Sequence, residues 1–174
     1  PQNEKDYVQA LSKRYSGDAN PDLHQLAVDY AGAMKELSRR YPDDLDAATL
    51  YAESMMDLRP WKLYDLQGNP AEGTEEIVAV LESVLKRDPS HPGANHYYIH
   101  AVEASRDPER ALPSAQTLQT LVPGAGHLVH MPAHIYARTG NYSAAANSNA
   151  DAAQADRNYM KSTGTEGSLY TFMY

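Results

Sequence analysis

The chain has 174 residues, 42% of them hydrophobic and 22% charged, with a formal net charge of −8. That balance is ordinary for a soluble acidic protein, and with no basic patch it makes nucleic acid an unsuitable partner. Cysteine is absent, which excludes disulfides, thiolate metal sites and thiol catalysis, while the length suffices to bury roughly 70% of the unfolded surface without a staple.

Helical patterning runs throughout, and no strand alternation appears. Helices are expected at about residues 3–15, 21–40, 44–58, 74–87, 93–105, 108–121, 127–139 and 141–160. The opening Pro1-Gln2-Asn3-Glu4-Lys5 lacks the marks of a signal peptide, and no apolar run reaches the ~20 residues of a membrane span, so a membrane is not an expected partner and the compartment stays open. His24 is expected to be exposed on the second helix. Asp43, Asp44 and Asp46 cluster at the start of the third, where negative charge suits the N-terminal dipole, so capping is their simplest role. The loop at about 59–73 carries the single Trp, Trp61, together with Tyr64. It either belongs to a binding face or packs Trp61 onto a neighbouring helix.

Further on, Arg87-Asp88-Pro89, Arg106-Asp107-Pro108, Val122-Pro123-Gly124 and Thr139-Gly140-Asn141 break the helical pattern. His91, between Ser90 and Pro92, reads as a turn residue, with a reach to the groove mouth as the alternative. Asp107 is placed to cap a helix that opens with Pro108. The ending Leu169-Tyr170-Thr171-Phe172-Met173-Tyr174 is apolar and aromatic, so the chain reads as a piece of something longer. An exposed solenoid end of that kind would favour self-association.

A period underlies these elements. Pro89 and Pro123 are 34 residues apart, as are Ala111 and Ala145, and 34 is the length of one tetratricopeptide unit. Pro42 and Pro89 are 47 apart, and the excess falls in the loop that follows Arg59. With Ala111 and Ala145 as the small residue of the second helix and Pro89 and Pro123 as the closing proline, the chain resembles the tetratricopeptide repeat superfamily over roughly residues 42–158. The repeats diverge from its pattern: Asn95 stands at the Trp position, and Tyr98, Val102 and Tyr136 fill Phe/Leu-type positions. The segments His91–His100 and Gly126–Tyr136 are similar to the middle part of larger His-rich bacterial tetratricopeptide proteins, which extend past both ends of this chain. The resemblance implies one all-α domain over residues 1–174: stacked antiparallel helix pairs forming a short right-handed solenoid, its concave groove partly covered by the loop 59–73.

The chemistry lies in two His-x-x-x-His pairs, His96/His100 and His130/His134, the second repeating the first at the same 34-residue period. Residues four apart share a helix face, so each pair aims two imidazoles the same way. The resemblance places Gly93, His96, His100 and Glu103 on the groove-lining positions of one repeat and His127, His130, His134 and Ala137 on those of the next. In the preceding repeat it places Asp46, Thr49, Glu53 and Met56 there. Imidazole ligates zinc, copper, nickel and iron, and four convergent side chains at about 2.0–2.2 Å would close a tetrahedral site.

His96, His100, His130 and His134 are the expected ligands. Glu53, Glu103 and His127 are reserves, as ligands of a second ion or as partners that orient imidazoles, with Tyr97, Tyr51 and Asn95 as weaker supporting candidates. A peptide- or protein-binding groove that uses the same His and Tyr groups as hydrogen-bonding partners is the alternative. A third reading is a metal-dependent hydrolase or oxidoreductase in which Glu53 or Glu103 acts as base toward metal-bound water. Pro132 divides the second pair. A helix starting near His130 leaves it harmless in the first turn, whereas one starting near Gly126 is kinked by it and re-aims His134.

Overall fold

The computed structural model describes residues 1–164, and the ending Leu169 to Tyr174 lies outside the described residues. Among the described residues the chain is all-α. In order it forms α1 (Gln2–Ser12), α2 (Leu23–Arg40), α3 (Leu45–Met56), α4 (Thr74–Arg87), α5 (Pro92–Val102), a 3-10 turn (Pro108–Ala111), α6 (Leu112–Leu121), α7 (Gly126–His130), α8 (Pro132–Arg138) and α9 (Tyr142–Thr163). An isolated bridge joins Tyr64 and Pro70. Among the described residues no helix is long and apolar enough to cross a membrane. The chain divides into two compact units, Pro1–Val84 and Leu85–Tyr174.

In the first unit α1 packs on α2 and α2 on α3. Tyr30, Met34 and Leu37 recur at helical spacing on α2, and they meet Ala10 of α1 and Ala47 and Tyr51 of α3 in one core. Capping fixes where these helices begin: the Asp22 carboxylate accepts from the Gln25 N–H at 3.0 Å, and that of Asp44 accepts from Ala47 at 3.0 Å. The 59–73 segment is an ordered turn. Asp65 accepts from the backbone of Gln67 and Asn69, while Leu63 is buried and its carbonyl accepts from Ala71 N–H and the Thr74 hydroxyl. Trp61 is left 89% exposed at φ 63°, so Leu63, not Trp61, anchors the loop.

In the second unit α5 packs on α6, α6 on α8, and both α7 and α8 on α9. Ile99, Val102, Leu118, Met131 and Ile135 are fully buried at its centre. Each such side chain contributes about 1.5–3 kcal/mol of transfer free energy. Buried positions of α6 recur 34 positions later on α9: Ser114 with Ser148, and Leu118 with Ala152. The sequence period is thus a packing period. Asp107 does not cap as expected; its side chain makes no capping bond, and a 3-10 turn precedes α6. Pro113, without an N–H, sits at the second position of α6, where no such donor is needed.

Candidate metal centre

The helix around Pro132 begins at Gly126, so His127 is helical, and Pro132 interrupts the segment where its missing N–H would have met the Leu128 carbonyl. Met131 closes α7 and opens α8 with helical dihedrals, so the break is a local re-aiming rather than a turn. Across from it, α5 starts from a cap that sequence reasoning read only as a turn. His91 Nδ1 accepts from the Ala94 N–H at 3.1 Å, and buried Asn95 donates to the carbonyls of Pro89 and His91. This locks the first turn of the helix that carries His96 and His100.

Five imidazoles converge. His96 and His100 have ring centroids 5.0 Å apart, His96 and His127 5.0 Å, His100 and His134 5.1 Å, and His130 and His134 4.7 Å. Two pairs point nitrogen at nitrogen: His96 Nε2 lies 3.0 Å from His127 Nε2, and His130 Nε2 lies 2.9 Å from His134 Nε2. Two nitrogens bonded to one ion at ~2.0–2.1 Å and subtending ~90–110° stand about 2.9–3.4 Å apart. Both pairs therefore have the bite of a metal clip.

Around the rings stands a layer of oxygen acceptors. Glu103 spans two imidazoles, with Oε1 3.0 Å from His100 Nδ1 and Oε2 2.6 Å from His134 Nδ1. Asn149 Oδ1 lies 2.7 Å from His130 Nδ1. A carboxylate only accepts, so His134 donates its Nδ1–H and presents a lone pair at Nε2. With the Asn149 amide oxygen facing the ring, a neutral His130 does the same. The two Nε2 lone pairs then face each other at 2.9 Å, an arrangement that a cation between them makes favourable.

The electrostatics agree with a neutral, ligating set. Burial, followed by repulsion from His100, His127 and His134, takes His96 from 6.5 to about 3. Burial also lowers His127 and His130, aided by the neighbouring imidazoles and opposed by the Asp156 charge at His127 and by the Asn149 hydrogen bond at His130. Burial acts to raise Glu103, but the bonds from His100 and His134 outweigh it and bring the carboxyl to about 2. At neutral pH these groups are a charged acceptor and imidazoles with available lone pairs.

The structure thus brings together His96, His100, His130 and His134 with the reserves His127 and Glu103, and the ring of Tyr97 lies 4.7 Å from that of His96. Glu53 belongs to the first unit, where its carboxylate is 3.5 Å from Arg14 Nη1, and burial, followed by the Asp57 charge, pushes its pKa up. Tyr51, in the same unit, donates its hydroxyl to Glu76 at 2.6 Å. Asn95 serves the helix start rather than the rings. Sequence reasoning missed Asn149 and Asp156, both on α9. The groove-facing register was counted on first helices only, whereas α9 is the second helix of its pair and packs directly on α7 and α8.

These helix pairs and their packing define an all-α, tetratricopeptide-like scaffold. Among solved structures the chain is similar to "MamA MSR-1 C2", from a tetratricopeptide-containing protein, with a TM-score of 0.56 and 14% identity over 91% of this chain and 91% of that one. At that identity the likeness is one of fold. No family model and no curated protein matches the sequence.

Proposed function

We propose that the second unit is a transition-metal-binding module on a tetratricopeptide-like scaffold, its ligands drawn from His96, His100, His127, His130 and His134. The carrying observation is the opposed pair His130 and His134, whose Nδ1 atoms are engaged by Asn149 and Glu103 while their Nε2 atoms meet at 2.9 Å. Nitrogen donors without thiolate suit zinc, copper, nickel or iron, and on affinity order copper binds most tightly. Glu103, with each oxygen taken by an imidazole, serves this site as the group that orients His100 and His134, not as a base toward bound water. The helix-pair architecture favours a second reading, a scaffold that binds a peptide or protein partner.

Asn149 separates a metal site from a purely hydrogen-bonded one. Without an ion, the chain of rings is satisfied by turning the Asn149 amide so that Nδ2–H donates to His130 and His130 Nε2–H donates to His134. Asn149→Asp removes the amide donor and gives His130 the same kind of acceptor that His134 has in Glu103. The expected result is zinc affinity equal to or above that of the unmodified chain, measured by competition with a chromogenic chelator. Absence of zinc and copper binding in both proteins would overturn the metal reading and leave the partner-binding scaffold.

A further inference from the structure

The cluster has more imidazole donors than one tetrahedral ion uses. Its candidate ligand atoms fall into two sets, His96/His100/His127 and His100/Glu103/His134, each with all atoms within 4.8 Å of one another, and only His100 is common to both. Two donors bonded to the same ion at ~2.1 Å stand no more than about 4.2 Å apart, so donors spread more widely than this cannot share an ion. The opposed nitrogen pairs are likewise distinct: His96/His127 lies within the first set, while His130/His134 shares only His134 with the second and meets through the other ring nitrogen, Nε2.

A second observation concerns charge. Asp156 is only 5% exposed, and its Oδ2 has no hydrogen-bond partner among the described residues. A buried carboxylate oxygen without a compensating partner is costly. Its carboxylate packs against Gly126, at the start of α7, and its charge is felt at His127. Each nitrogen pair therefore has a carboxylate acting on one of its members: Asp156 on His127, and Glu103 on His134.

We infer, building on the metal reading above, that the cluster holds two transition-metal ions, one clipped by His96 and His127 and the other by His130 and His134, with His100 between them. Glu103 orients rings toward the second ion, and Asp156 supplies the counter-charge for the first. A zinc, copper or nickel ion fits either position by donor type.

The test titrates the full chain with Cu(II) and follows bound copper by dialysis and by electron paramagnetic resonance. Native protein is expected to bind two equivalents, with dipolar broadening between the copper centres as the second site fills. His96→Gln/His127→Gln and His130→Gln/His134→Gln are each expected to bind one, without broadening. One equivalent in the native protein would overturn the two-ion inference while leaving a single metal site standing. No bound copper would sink both. Helical circular dichroism identifies any variant that fails to fold. In that event the native count and broadening decide alone: two coupled equivalents uphold the inference, and one equivalent overturns it.

Discussion

His134 is held by Glu103 at 2.6 Å through Nδ1 and meets His130 at 2.9 Å through Nε2, and the same carboxylate fixes His100 at 3.0 Å. Such outer groups typically govern 10–100-fold in metal affinity, because they set the tautomer and aim of the ring they hold. Glu103→Gln keeps the size but offers one oxygen where two are needed, and its amide N–H faces a ring N–H. We therefore expect zinc affinity to fall about 10–100-fold, with the helical circular dichroism retained. An unchanged affinity in the chelator competition would show that Glu103 does not orient these rings. His91 shows the opposite economy, its ring spent on the Ala94 N–H at a helix start. A histidine's neighbours, not its presence in a motif, decide what it does.

Among the elements, the contact of α7 with α9 turns on Gly126 and Asp156. A Cβ at position 126 would overlap the Asp156 carboxylate more closely than real atoms approach, which is why glycine stands there. Gly126→Ala is expected to cost about 1–3 kcal/mol of stability by overpacking. In Gly126→Ala/Asp156→Ala the combined loss should fall short of the sum of the two single losses, because the second change removes the obstacle. Urea denaturation measures all three, and strict additivity would contradict the contact.

Helix starts were legible in part: Asp44 caps α3 as its place in the sequence suggests, whereas Asp107 makes no capping bond and the cap of α5 is His91. The 34-residue period likewise brought His96, His100, His130 and His134 onto one site, since repeats that pack alike place equivalent residues alike. Asn149 and Asp156 were not legible. Their role depends on how α9 lies over α7 and α8, a tertiary fact without a local pattern. Nor could the sequence choose between two starts for α7; the answer came from the break at Pro132, which leaves His127 inside the helix.

On the scale of the whole chain, the histidine cluster makes loss of stability in acid a signature of the fold. His96 takes its proton at about 3 in the folded chain but near 6.5 when unfolded, and His127 and His130 are also held below 6.5. Below pH 6.5 the unfolded state therefore binds more protons, and stability falls with pH. Glu103 adds to this lower down: its carboxyl sits at about 2 against 4.5, so its contribution is complete above 4.5 and is lost as pH falls toward 2. Tm in metal-free buffer should decline from pH 7 to pH 4, and His96→Gln should flatten the decline between pH 6.5 and 4. A decline of equal slope in the variant would remove His96 from this account.

The central claim is most directly tested by the metal content of the full chain, purified without a metal-affinity tag and analysed by inductively coupled plasma mass spectrometry beside His100→Ala/His134→Ala. The account predicts at least one equivalent of zinc, copper, nickel or iron in the native protein, greatly reduced in the variant. Protein that carries no metal, and takes none up from zinc or copper near neutral pH, would contradict it.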